Sequence, residues 1–133
     1  MPTIGIDPII LNDVKLTLGL NDYEAHVSKV EFVPTSSIVN WKGLTPASVH
    51  SFPTRATWVC NLDLAVDIET VDSLSLYLLA NEGQEVVGTF EPVAGGASVT
   101  ATLLIVPGGF GGTVDTVPTT SVSLGVKGKP VIA

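Results

Sequence analysis

Ala56-Thr57-Trp58-Val59-Cys60-Asn61-Leu62-Asp63-Leu64-Ala65-Val66-Asp67 is the stretch on which the reading of this chain turns. Trp58, Cys60, Leu62, Leu64 and Val66 share one phase, and Thr57, Asn61, Asp63 and Asp67 take the other, the period of a strand with one buried face. Beyond Glu69 the period changes. Val71, Leu74, Tyr77 and Leu78 recur at three- and four-residue spacing, Thr70 and Asp72 offer N-cap oxygens, and Asn81-Glu82-Gly83 supplies a stop that tolerates a left-handed residue. Leu74, Leu76 and Leu78 also alternate with Ser73, Ser75 and Tyr77 as a strand would, but the caps and the closing glycine favour one helix over Val71 to Ala80. Leu76, Leu79 and Ala80 lie away from Leu74 and Leu78, so this helix is apolar nearly all round and needs cover nearly all round.

At 133 residues the chain is of single-domain size, and no linker divides it. Charged residues are 14% of it, where about 25% is typical of soluble domains, and its mean hydropathy is +0.47. A small domain leaves much of its surface in water, and so few charges cannot cover it. No stretch approaches the roughly 18 to 20 continuous apolar residues of a membrane-spanning helix, so no membrane partner is expected and the apolar surplus should be buried against other subunits. The net charge of −7, with 6 Lys plus Arg, argues against a protein that grips phosphates. It is compatible with one past which nucleic acid slides. Met1-Pro2-Thr3-Ile4-Gly5 has neither a basic region nor a signal-like apolar core, so synthesis and residence in a cytosol are expected. The single Cys60 falls on the buried phase of its strand and reads as a core thiol rather than a nucleophile.

Residues 1–13 carry two prolines and the apolar cluster Ile9-Ile10-Leu11, an arm with no partner strand of its own. Val14, Leu16, Leu18 and Leu20 then alternate as a strand, which Asn21-Asp22 turns. From Tyr23 to Val33 a returning strand shifts its apolar phase between Val27 and Val30, the mark of a bulge. Residues 34–53 form the longest irregular segment. Ile38, Val39, Trp41, Leu44, Val49 and Phe52 make it too apolar for a solvated loop, so it should pack on a neighbouring copy, with a short internal hairpin as the alternative. Glu85 to Pro92 and Ser98 to Val106 read as two strands joined through Ala94-Gly95-Gly96, and the second becomes apolar in both phases, as though its end were buried on both faces. A last strand runs from Thr120 to Val126 and leads to Gly128-Lys129-Pro130 and a short apolar tail.

None of the motifs points to catalysis. Pro107-Gly108-Gly109-Phe110-Gly111-Gly112 is followed by Thr113, Val114 and Asp115 without the lysine a phosphate loop requires. His26 and His50 lack metal-ligand spacing, and Asp63, Asp67, Glu69 and Asp72 lack the glycine and ligand pattern of a calcium loop. No nucleophile elbow is present. The expectation is a non-enzyme with no cofactor and no metal.

The second half resembles a known family. Trp58 to Asp67, the Asp72-Ser73-Leu74 helix start with its Asn81-Glu82-Gly83 end, Phe90-Glu91-Pro92, the Gly95-Gly96 turn and the Gly112 to Pro130 segment resemble the major tail proteins, or tail tube subunits, of long flexible-tailed bacteriophages. The resemblance covers roughly Arg55 to Pro130 and rests on element order and turn placement. It implies a mainly β, antiparallel β-sandwich or barrel with one flanking α-helix, a single tail-tube-like domain over residues 1–133. It further implies a virion protein, made in the host bacterial cytoplasm, whose hexameric rings stack into a hollow tube and meet other tail proteins at its ends. DNA would pass through the lumen without specific binding. The long loop 34–53 and the arm 1–13 would mediate stacking.

The residues expected at subunit contacts are Ile9, Ile10, Leu11, Ile38, Trp41, Leu44, Phe52, Leu76 and Leu79. Those expected to face a lumen are Asn61, Asp63 and Asp67, on the polar phase of the central strand, with Glu24 and Glu31 as second candidates. Two other readings stay open: a head decoration or tail completion/connector protein, and an unrelated β-sandwich binding module.

Overall fold

The central alternation does build a strand. In the computed structural model, which describes residues 2–133, β6 spans Thr57–Ala65, with Cys60, Leu62 and Leu64 buried and Asn61 and Asp63 on the other face. The remaining strands are β1 (Lys15–Leu18), β2 (Asn21–Asp22), β3 (Val27–Thr35), β4 (Ile38–Lys42), β5 (Val49–Pro53), β7 (Glu85–Glu91), β8 (Val99–Leu104) and β9 (Thr119–Ile132), with one helix, α1 (Leu74–Ala80). Seven strands form one antiparallel sheet in the order β2-β1-β7-β8-β9-β6-β3, and β4 pairs with β5 alone.

That sheet is not flat. Phe32 on β3 and Phe90 on β7 stand with ring centroids 6.4 Å apart, although β8, β9 and β6 lie between their strands. Four strand spacings of about 4.8 Å would put them about 19 Å apart in a flat sheet. The sheet therefore curls until its two ends face each other, a barrel with an open seam between β1 and β3. Its inward rows, Leu16 and Leu18, Ala101 and Leu103, Cys60, Leu62 and Leu64, and Val122 and Leu124, form one buried cluster. The fold is the mainly β, antiparallel sandwich or barrel with one flanking helix that the sequence implies.

The barrel's two ends are built differently. β6 ends and β7 begins at the same end, and α1 bridges them, sending Leu74 and Leu78 fully into the core cluster. Tyr77 packs against Tyr23 beside the same end, their ring centroids 5.5 Å apart and their planes tilted by 48°. Among the described residues, the opposite end has no such cap. From it emerge the arm before β1, the β4–β5 hairpin that joins β3 to β6, and the C-terminal part of β9.

Several expectations are corrected. The helix starts at Leu74, and its N-cap is Ser73, whose hydroxyl accepts from Leu76 N at 3.4 Å; neither Thr70 nor Asp72 caps it. Asp72 instead adopts φ +61 in the turn before the helix. The first hairpin turns at Gly19-Leu20, where Gly19 has φ +63. Leu20 is fully exposed rather than part of the strand, and Asn21–Asp22 form the returning β2. The segment 34–53 is the hairpin β4–β5 and not an irregular loop. Leu104 and Val106 are each 40% exposed, so the end of β8 is buried on one face only; its outward row has no second layer above it. The final strand continues to Ile132, and Ala133 exchanges backbone hydrogen bonds with Ser98, so the supposed tail belongs to the sheet. The bulge expected in the returning strand lies between Val27 and Lys29.

Candidate assembly surfaces

An apolar surplus of this size has to be visible somewhere; Phe110, Val114, Val117 and the outer face of the sheet carry part of it, and the arm, the hairpin and the surroundings of α1 carry much of the rest. In the arm, residues 2–13 form neither helix nor strand, and Asp13 O, accepting from Ala94 N at 3.0 Å, is the first tie to the barrel. Ile9, Ile10 and Leu11 are exposed along it. Met1, assigned to the same arm, lies outside the described residues.

The hairpin is exposed along both strands. Its register sets Val39 opposite Phe52 and Trp41 opposite His50. Directly opposed residues share a face, so these four make one apolar, aromatic side, with the Trp41 and His50 rings 5.9 Å apart. The other face carries Ile38 and the Ser51-to-Asn40 hydrogen bond of 2.6 Å. Leu44 sits in the connection between β4 and β5 with its side chain in solvent. Ile38, Trp41, Leu44 and Phe52, the residues expected at contacts, are thus brought together on one protruding ribbon.

On α1, Leu74 and Leu78 are buried, Leu76 is half-buried and Leu79 is 47% exposed. The side that the helix turns from the core is the apolar one the sequence flagged. Ile68 and Val71, in the turn before it, are exposed as well. Val71, expected in the helix from its spacing, lies outside it, and no periodicity marks Ile68 in the sequence.

The polar face of β6 is ordered by its neighbours. Ser121 donates to Asp63 Oδ1 and Ser123 to Asn61 Oδ1, each at 2.6 Å. Lys29 and Glu31 on β3 form an ion pair of 3.7 Å on the same side. Asp67 is not on this face. It lies past the end of β6, where its Oδ1 accepts from Glu69 N and Thr70 N at 3.0 Å each. The Thr70 hydroxyl and the Thr70 and Glu69 amides hold its carboxyl below the usual aspartate range. The three residues expected to share a lumen face are therefore two on a strand and one in a capping turn.

A cleft of about 610 Å³ lies along the seam, lined by Val14, Leu16, Glu24, Val27, Val30 and Phe90 among others. Glu24 Oε2 is buried there without a hydrogen-bond partner. Cys60 is enclosed in the core, and burial pushes its thiol up to about 12, the signature of an inert structural cysteine. Among the described residues, no group of three or more His, Cys, Asp or Glu could hold a metal ion. Among the same residues, no helix is long and apolar enough to cross a membrane.

The whole curled sheet has a counterpart among solved structures. The chain superposes on the PVC sheath/tube terminator of an extracellular contractile injection system in its extended state, with a TM-score of 0.65, over 96% of this chain and 98% of that one. Identity is 10%, so the likeness is one of fold. No protein-family model and no curated protein matches the sequence.

Proposed function

We propose that this chain is a structural subunit of a phage-tail-like tube, acting by self-association and not by catalysis. The observation that carries the reading is a fold shared end to end with a sheath/tube terminator, in a chain whose arm, hairpin and helix leave large apolar side chains uncovered. A fold alone does not assign a role; the uncovered surfaces supply the second support, since contiguous apolar patches on small proteins mark interaction sites.

Within that class we propose copies that close into hexameric rings, which stack as a hollow tube for genome delivery in a virion assembled in the host bacterial cytoplasm. Other tail proteins would meet the tube at its ends. The arm, the hairpin and the outer side of α1 are the proposed contacts, and the acidic balance lets DNA pass a lumen without being held. The terminator likeness favours a second reading, in which the ring caps a tube built by another protein.

Electron microscopy of the purified chain separates these. Long hollow tubes support the tube subunit, and single rings that do not grow support the terminator. Particles that remain monomeric up to millimolar concentration overturn both.

A further inference from the structure

The ends of the barrel differ in charge as well as in shape. The helix-capped end is closed by segments 66–84 and 105–118, which carry Asp67, Glu69, Asp72, Glu82 and Asp115 and no lysine or arginine. At the open end, where Asp13 and Glu91 flank the start of β1, stand the cations Lys15 at the start of β1, Lys42 on the hairpin, Arg55 before β6 and Lys129 near the end of β9. These are four of the chain's 6 cations.

At this open mouth the inward rows of β6 and β9 run out of partners. Trp58 and Val126 are half-buried, and with Arg55, Thr57 and Lys129 they line a groove of about 690 Å³. A bulge in β9 shapes its rim. Lys127 pairs with Thr102 and Val131 with Thr100, so β9 places extra residues there, with Gly128 at φ +81. Such bulges redirect side chains and suit a proline that cannot donate to the ladder, here Pro130. Lys127 is held by Glu85 at 3.2 Å. Among the described residues, Arg55 and Lys129 have no carboxylate partner.

The other end offers the complement. The turn between β6 and α1 is fixed by Asp67, which accepts from Glu69 and Thr70, and by Ser73, whose hydroxyl donates to Asp67 O at 2.5 Å. It leaves Ile68 57% and Val71 82% exposed, with the carboxylates of Glu69 and Asp72 in solvent and unpaired among the described residues.

We infer that the open mouth of one copy receives the Ile68–Asp72 corner of a second copy. Ile68 and Val71 pack on Trp58 and Val126, while Glu69 and Asp72 face Arg55 and Lys129. The apolar pair supplies affinity, and the charges supply orientation, because like ends repel. A contact between two different surfaces of one chain is head-to-tail, and it closes into a ring or continues as a filament according to its rotation. The inference rests on the proposed function only in taking a copy of this chain as the partner.

Charge exchange tests it, read by sedimentation of the full chain at a series of concentrations. Arg55→Glu with Lys129→Glu, and separately Glu69→Lys with Asp72→Asn, should each weaken association at least about tenfold, since like charges brought together are strongly disfavoured. Asn tolerates the left-handed backbone at Asp72. The chain carrying all four changes should associate again, as should an equimolar mixture of the two double variants. Unchanged denaturation midpoints of the monomers exclude misfolding as the cause.

The inference is overturned if the fourfold variant is no better than the doubles. It is equally overturned if only the mouth variant is impaired and deletion of 1–11 reproduces its defect, which would assign the groove to the arm. Loss of oligonucleotide binding by the mouth variant, with association intact, would assign it to nucleic acid and likewise overturn it. Rings or tubes that form regardless of these charges refute this contact while leaving the tail reading standing; absence of any assembly refutes both.

Discussion

If the sheet curls into a barrel, Phe32 and Phe90 must be energetically coupled although no hydrogen bond links their strands. Phe90 is 8% exposed and Phe32 half-buried, with their rings 6.4 Å apart at 42°. A tilted aromatic pair at this distance contributes about 0.5–1.5 kcal/mol beyond its buried area. Truncating a buried Phe to Ala costs about 3–5 kcal/mol, a large part of the roughly 5–15 kcal/mol that holds an ordinary domain together. Leu is therefore the better probe, because it keeps most of the volume and removes the ring. Phe32→Leu, Phe90→Leu and the double variant should be compared by urea denaturation, followed by far-UV circular dichroism, with equal m-values required for the comparison to stand. The double variant should be less destabilised than the two singles together by about 0.5–1.5 kcal/mol. In a flat sheet the rings would be about 19 Å apart, and the effects would add to within about 0.3–0.5 kcal/mol. Additivity at that level refutes the closure of the seam.

The remaining expectations follow from burial and hydrogen bonding. Trp41 is 60% exposed on the hairpin, so Trp41→Ala should weaken self-association by about 2 kcal/mol or more per contact, in the manner of an aromatic hot spot, and shift the monomer's denaturation midpoint much less; equal assembly at equal concentration counts against the hairpin as an interface. Cys60, with its thiol at about 12, should resist iodoacetamide at pH 8 in the native state and react on unfolding, because only about one thiol in 10⁴ would be ionised and the sulfur is enclosed; rapid native labelling would show that the core opens there. Asp67 has a folded pKa below its ordinary 3.8, so the stability it contributes is present above that value and is lost as pH falls through the lower folded one. The gap in midpoint between the parent and Asp67→Asn should thus be constant near neutrality and shrink below pH 3.8; a gap that widens on acidification contradicts the assignment.

Which parts were legible depended on how local their causes are. The alternation in β6, the bulge after Val27 and the glycine turn before β8 are read over a few residues and survive in the structure. Local signals mislead where two of them compete. Thr70, Asp72 and Ser73 all carry a capping oxygen; Ser73 caps because the left-handed Asp72 and the Asp67 turn deliver the chain there at the required angle. At the end of β8 both phases are apolar, and the sequence alone could not tell two buried faces from one buried face and one awaiting a partner.

The mainly β character, the buried thiol, the shortage of charge and the apolar arm and 34–53 segment can be read from the residues alone, because composition and two-residue periodicity act without regard to what lies across the sheet. The strand order, the curl that brings Phe32 to Phe90, the shape of 34–53 as a free-standing ribbon, and the gathering of Arg55 and Lys129 at one mouth with Glu69 and Asp72 at the other end are set by the three-dimensional packing. These depend on contacts between residues far apart in the chain. Arg55 and Lys129 stand 74 positions apart, yet they meet at one mouth because β6 and β9 pair antiparallel.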